Sequence, residues 1–314
     1  MSGAVVISVL MPDTGGFTPK SLLEAIRGVC TRDSFDAITS SGPAREDFVC
    51  APGVNSVQQI CRGDDCERPA QGASCLVDGR WLNSDVIRLL LKRCGGVSSA
   101  GRRRLPLDEV GAARVCVLVE SQWSLASRLA QCDGRGGLPD WGLNQVQSLL
   151  AKVGDSVVDL FLVPVNVGNQ HWYLLAGDVR GGRVRVRVHD SGPTGPSTSV
   201  GRRRRREARG FAKILQRFLS SSATTSSRPP APAAIETPRV CLGPKQTDFF
   251  SCGVYTCWAA LCETVGLELG AQWCPEFECV SQDVPTPDLL LLRHFIAQML
   301  MDPVEIRSLV QLAQ

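Results

Sequence analysis

Hydrophobic and polar positions alternate most strictly over residues 183–189, where Val184, Val186 and Val188 interleave with Arg183, Arg185 and Arg187. A period of two marks a strand with unlike faces. Just upstream, His171 to Val179 reads as a second strand, and Leu160 to Val165 as a continuous apolar one. The paired glycines 181–182, between Arg180 and Arg183, accept the positive φ angles of a two-residue hairpin turn. Pairing Arg180 with Arg183 then fixes the register: Val179 faces Val184, Gly177 faces Val186, Leu175 faces Val188 and Tyr173 faces Asp190. One face of this hairpin is apolar, and the other, with Arg183, Arg185, Arg187 and Asp178, is expected to meet solvent. At the open end His171 lies diagonally across from Asp190. Such positions are roughly 7–8 Å apart at their roots, near enough for an imidazole and a carboxylate to hydrogen-bond.

The remaining pattern predicts further strands over Val5 to Met11 and Ala113 to Glu120. Helices are predicted from Ser21 to Val29, capped by Thr18-Pro19, and over Val86 to Leu91, capped by Asn83 or Ser84. Two more are expected over Trp123 to Ala130 and Leu143 to Val153. Arg202 to Leu219 reads as a helix with Phe211, Ile214, Leu215 and Phe218 on one face and arginines elsewhere. Gly253 to Leu261 reads as an apolar helix, and Pro287 to Met301 as a closing helix burying Leu289, Leu292, Phe295, Ile296 and Leu300. Strands and helices alternate, so the class is mixed α and β. Residues 1–75 form an expected N-terminal extension, partly irregular, ahead of a unit over 76–314 with a flexible loop at 220–238 rich in Ser, Thr, Pro and Ala.

Composition narrows the classes. A 44% hydrophobic, 21% charged chain is that of a soluble globular protein, and no apolar run is long enough to span a bilayer. The apolar start lacks a basic flank and reads as a strand rather than a secretory leader. The 14 cysteines are therefore expected as thiols in a reducing compartment, nucleus or cytoplasm. Cys50, Cys61, Cys66 and Cys75 have no Cys-x-x-Cys pairing, so no metal is expected there. A net charge of +3 implies no global nucleic-acid field, and the run Arg202 to Arg206 reads as a solvated helix face.

The candidate chemistry centres on Gln246-Thr247-Asp248-Phe249-Phe250-Ser251-Cys252-Gly253. The predicted helix places Cys252 at a helix N-terminus, where backbone N–H groups and the dipole favour thiolate over thiol. A nucleophilic thiol needs a base, and the base an orienting group, which His171 and Asp190 supply by register. Strand parity sends His189 to the arginine face, and His294 lies in a distant helical pattern.

Trp81-Leu82-Asn83-x-Asp85, His171-Trp172, Asp190-Ser191, Gln246 six residues before Cys252, Cys252-Gly253-Val254-Tyr255 and Arg293-His294-Phe295-Ile296-Ala297 occur in one order. This ordered set resembles the ubiquitin-like-protein-specific (SUMO-protease-like) cysteine peptidases over about residues 75–303. The resemblance implies an α+β fold, a central mixed β-sheet flanked by helices, related to the papain-like and adenovirus-type (adenain-like) peptidases. It implies Cys252 as nucleophile, His171 as general base and acid, Asp190 as its orienting carboxylate and Gln246 as an oxyanion donor. Trp81 and Trp172 would form a narrow channel over the modifier's glycines, against local readings as a helix-entry staple and a packed sheet aromatic. The implied reaction is hydrolysis after a Gly-Gly terminus, with no cofactor. The implied partner is a ubiquitin-like modifier and its conjugates, SUMO-like by preference, bound by a monomer with no membrane or nucleic acid involved. Ser251 stands where the modifier proteases usually carry Asp. That departure and the N-terminal extension leave room for a viral or mobile-element-like processing protease, and a separate reading is a catalytically inactive module that binds a ubiquitin-like partner or, through Arg202 to Arg206, an acidic surface.

Overall fold

The computed structural model describes residues 4–10, 18–30, 73–76, 79–82, 84–93, 112–118, 159–168, 170–180, 183–192, 198–222, 234–241, 243–267, 272–273 and 287–301. Its strands are β1 (Ala4–Leu10), β2 (Ala112–Leu118), β3 (Leu160–Val167), β4 (His171–Asp178), β5 (Arg183–His189), β6 (Ala234–Ile235), β7 (Arg239–Cys241) and β8 (Gln272–Trp273). The helices are α1 (Pro19–Val29), α2 (Ser84–Arg93), α3 (Ser199–Ser222), α4 (Cys252–Thr264) and α5 (Leu289–Met301), with a 3-10 turn at Ala73–Leu76. The strands join one mixed sheet in the order β1-β2-β3-β4-β5-β7-β8, with β6 beside β5. β2–β3, β5–β6 and β5–β7 run parallel and the other pairs antiparallel. This is the α+β arrangement expected, a mixed sheet flanked by helices.

The hairpin register is the one its alternation predicts: Gly177 pairs with Val186 and Leu175 with Val188. Its odd face on β4 and even face on β5 pack beneath α3, and a Cβ added at Gly177 would meet Leu215 and Phe211 of that helix. Glycine there lets α3 settle directly on the strand. The opposite face of the sheet, through Leu160, Leu162, Trp172, Leu174 and Ala176, shares a core with α1, α2, α4 and α5. All residues of α4 are buried. A helix apolar all round must be enclosed, and this one lies between the sheet and the outer helices. At its start, a Cβ on Gly253 would come 2.8 Å from Leu82 Cβ, so glycine permits α4 to approach the segment that enters α2.

Several expectations shift. The arginine face of the hairpin does not meet solvent along its length, because α4 covers it. Asp178 and His189 are buried, and Arg187 donates through Nε (2.7 Å) and Nη2 (2.5 Å) to the Glu263 carboxylate of α4. Glu263 Oε1 also lies 2.6 Å from His189 Nε2. Only Arg183 and Arg185, toward the turn, stay exposed, and both face Glu236. Alternation separates two faces but does not say which is covered, and here both are. The N-terminal extension is not set apart: β1 pairs with β2 along the sheet, and Leu22, Leu23 and Ile26 of α1 enter the common core. Thr18 caps α1 as expected, and Ser21 returns the bond in a reciprocal capping box. Within the span 220–238, α3 runs to Ser222 and β6 begins at Ala234, and residues 223–233 lie outside the described residues. In α5, Leu292, Phe295 and Ile296 are buried, whereas Leu289 is only partly so. The predicted helices at 123–130 and 143–153, the turn 181–182, Asn83, Cys50, Cys61 and Cys66 lie outside the described residues, as do the side chains of Phe218 and Leu300.

Removing one partner from a buried ionic cluster leaves an uncompensated charge. Glu263→Ala strands Arg187 and His189 together, so it should lower stability by about 3–5 kcal/mol, measured as a fall in the urea midpoint without change of slope.

Candidate active site

Three chain segments converge at the open end of the hairpin. His171 is the first residue of β4, Asp190 directly follows β5, and Cys252 opens α4. The imidazole Nε2 lies 2.6 Å from Asp190 Oδ1. The Cys252 side chain lies near enough to the ring to favour its charged form. The Asp190 carboxylate has no exposed surface, and His171 keeps 23% of its side chain exposed. Cys252 is 0% exposed.

Backbone approach makes the carboxylate's seat. Gly192 N–H donates to Asp190 Oδ1 at 2.9 Å. A Cβ at Gly192 would stand 3.1 Å from both that oxygen and His171 Cε1, so a side chain there would push into the His–Asp pair. On the far side of the carboxylate, Arg204 Nε donates to Oδ2 at 2.7 Å. Arg204 lies in a basic run whose sequence predicts a solvated face, yet it is buried, while Arg202 and Arg206 remain exposed. The signal for it is positional. Arg204 is three residues before Glu207 and four before the buried Ala208, on the apolar side of α3.

The loop before Cys252 is stitched to the end of β5. Gln246 N–H donates to Ser191 O at 2.9 Å, and Lys245 Nζ donates to Asp190 O at 2.8 Å. Ser191 Oγ–H donates to Gln246 Oε1 at 2.8 Å, which orients the amide so that its NH2 points away from Ser191, one hydrogen going to Asp248 O at 2.9 Å. Asp248 in turn accepts from Phe250 N, Ser251 N and Ser251 Oγ. Ser251 is the residue before α4, and its hydroxyl is used on Asp248 rather than on the helix's first N–H groups. Those groups therefore stay directed out of the helix end. Trp81 is 40% exposed, whereas Trp172 is 4% exposed and part of the core. Arg293 of α5, fully buried, donates to Cys75 O (3.0 Å) and Arg80 O (2.7 Å), and so anchors the segment bearing Trp81. The other histidines stand elsewhere, His189 on Glu263 and His294 buried in α5. Among the described residues no group of three or more His, Cys, Asp or Glu side chains is arranged to hold a metal ion. No helix of the described residues is long and apolar enough to cross a membrane.

Burial alone would lower the His171 pKa. The hydrogen bond to Asp190, with that to Cys252, outweighs it and raises the value from 6.5 to about 9. Asp190 moves the other way. Burial would raise it, but His171 and Arg204 hold it well below the usual carboxylate range. His171, with a folded value above the ordinary one, contributes stability that is full below about 6.5 and lost as pH rises through about 9. Asp190 contributes above its ordinary 3.8 and loses that contribution as pH falls through its depressed value. In an NMR titration of the ring protons, His171 should titrate near 9, and Asp190→Asn should return it to 6.5 or below. An unchanged midpoint in the variant would mean that Asp190 does not hold the imidazolium.

Residues 142–289 match the model of the Ulp1 protease family, C-terminal catalytic domain. Among solved structures, the SUMO protease Ulp1 with its catalytic cysteine oxidised to a sulfonic acid is 16% identical, aligned over 83% of this chain and 96% of that one, with a TM-score of 0.46. The Ulp1 protease domain in complex with Smt3, the yeast orthologue of SUMO, is 17% identical over 82% and 96%, with a TM-score of 0.44. The Xanthomonas campestris effector XopD bound to ubiquitin is 18% identical over 69% and 90%, with a TM-score of 0.35. None of the curated protein sequences matches the chain. The segment matched by the family model contains His171, Asp190, Gln246 and Cys252, and in that segment the chain is similar to the catalytic domain of the Ulp1 family of cysteine-type peptidases.

Proposed function

We propose that this peptidase cleaves after the Gly-Gly terminus of a ubiquitin-like modifier, SUMO-like by preference, using Cys252, His171 and Asp190 as a triad. The observation that carries the reading is the His171 imidazole, held by Asp190 at Nε2 and near enough to the Cys252 side chain for the two to act on each other's charge. Asp190 fixes the ring and compensates the imidazolium charge. His171 accepts the Cys252 proton ahead of attack, and the resulting imidazolium stands beside the thiolate Sγ that attacks the scissile carbonyl. The developing oxyanion is met by the Gln246 amide and the Cys252 backbone N–H. As the tetrahedral intermediate collapses, the imidazolium gives its proton to the leaving amine, and a thioester joins Cys252 to the modifier. Water, deprotonated by His171, then releases the carboxylate and the thiol.

Full burial of Cys252 fits this substrate class. A thiol with no exposed surface is reached only by a chain slender enough to pass between its neighbours, and glycine has no side chain to obstruct. Trp81, exposed, and Trp172, buried in the core cluster, would flank that tail. The partner is thus a modifier and its conjugates, and the reaction requires neither metal nor cofactor. Residues 76–314 would form the catalytic unit, with 1–75 extending its sheet and core.

A panel of modifier probes ending in a C-terminal electrophile should label the wild-type chain at Cys252, located by peptide mass spectrometry, and leave Cys252→Ala unlabelled. Labelling that persisted in Cys252→Ala would dismiss the nucleophile. On a cleavable modifier reporter, His171→Ala should keep the wild-type circular dichroism spectrum and lose about 10²–10⁴ in turnover. Gln246→Ala should lower kcat by about 10²–10³, and a smaller loss would remove it from the oxyanion site.

A further inference from the structure

The carboxylate of Asp190 is held unevenly. His171 Nε2 and the Gly192 N–H both converge on Oδ1, whereas the donor to Oδ2 is the Nε–H of Arg204. A carboxylate turns readily about its terminal torsion, whose preference is broad and roughly two-fold. Donors on one oxygen alone do not stop that rotation. A donor fixed on the other oxygen does.

Arg204 is itself immobilised from several sides. Its Nη1 donates to Glu207 Oε2 at 3.0 Å, and its guanidinium lies 3.7 Å from the centroid of the Tyr173 ring. Tyr173 Oη–H donates to the same Glu207 oxygen at 2.7 Å, and Arg203 Nε donates to Glu207 Oε1 at 2.9 Å. Tyr173 is two residues from His171 on β4 and shares its face of the strand. The cluster thus refers the guanidinium to the strand that carries the imidazole. A buried guanidinium is costly unless its charge and donors are met, and here two carboxylates and a ring meet them. Lys245, a further cation beside Asp190, donates to its backbone carbonyl.

We propose that Arg204 is a positioning residue for the peptidase reaction: from α3 it fixes the rotation of the Asp190 carboxylate and, through it, the orientation of the His171 imidazole toward Cys252. The proposal rests on the triad reading above. It also assigns the middle of the arginine run a task distinct from that of its exposed members. Arg204→Lys keeps a charge but not the fork that reaches Asp190 and Glu207 together.

The test combines kinetics with the His171 titration. On a cleavable modifier reporter, Arg204→Met should reduce kcat on the order of 10- to 100-fold, with KM within about twofold. Arg204→Lys should recover part of the loss. In an Asp190→Asn background, Arg204→Met should change kcat by less than about twofold, because the residue through which it acts is already disabled. A purely structural role would cost the same in both backgrounds and would overturn the proposal. The direction of the His171 midpoint separates the cases again. Loss of a positioned carboxylate lowers it, whereas loss of a merely neighbouring positive charge raises it, and a rise would also overturn the proposal. Arg204→Met/Glu207→Gln removes the carboxylate that the single variant leaves unmatched. It should be folded by circular dichroism and share the kcat defect, and wild-type turnover in it would count against Arg204. If Asp190→Asn turned over like wild type, the triad and the Arg204 assignment would both fall. If Asp190→Asn were impaired and Arg204→Met were not, the triad would stand and only the Arg204 assignment would fail.

Discussion

The negative charge of Asp190, placed where water cannot reach it, is the constraint around which the rest is arranged. A carboxylate with no exposed surface is tolerated only if its charge is matched and its lone pairs are filled. His171 from β4, Gly192 from the chain beyond β5 and Arg204 from α3 do this together. Their convergence joins the hairpin, the turn after it and the helix above it into one unit. The same convergence raises the His171 pKa, so a site assembled to satisfy a buried anion also delivers a charged imidazole to the neighbourhood of a thiol.

A second ionic cluster lies behind the same hairpin. Arg187 and His189 project toward α4 and share the Glu263 carboxylate, all three largely enclosed. Burial would lower the His189 pKa, but Cys241 and then Glu263 outweigh it, raising the value to about 10. Near its C-terminal end β5 thus meets buried ionic partners on both sides, one cluster tying the hairpin to α4 and the other, through Asp190, to α3. The two helices are held to the same strands by charge as well as by apolar contact. That matters because α4 presents Cys252 from its first residue, so a shift of α4 along the sheet would move the thiol away from the imidazole.

Local pattern carries far when the interaction it describes is local or follows from register. The alternation of valine with arginine, and the paired glycines, define the hairpin and place His171 diagonally from Asp190, which the structure brings to 2.6 Å between Nε2 and Oδ1. The Cys-Gly step before an apolar run places Cys252 at the head of α4 for the same reason, since a cap and a helical period are properties of consecutive residues. Thr18 similarly declares the start of α1.

What lies across a layer is another matter. Nothing in the spacing of Arg183, Arg185 and Arg187 tells that α4 covers the last of them, because a charged face in a strand reads as solvated until a partner from a distant segment is placed on it. Nor does the run Arg202 to Arg206 announce that Arg204 alone turns inward to Asp190, since that depends on where α3 lands on the sheet, which Gly177 permits by offering no side chain to Phe211 and Leu215. By itself the sequence determined the five long strands β1 to β5, the helix that bears the thiol, and the side-by-side placement of His171 and Asp190, all consequences of short-range periodicity, whereas the short strands β6, β7 and β8 have no such pattern. Tertiary structure alone decided which charges are buried, which arginine serves the carboxylate and how the thiol, imidazole and carboxylate meet, because those depend on long-range packing whose free energy no local pattern records.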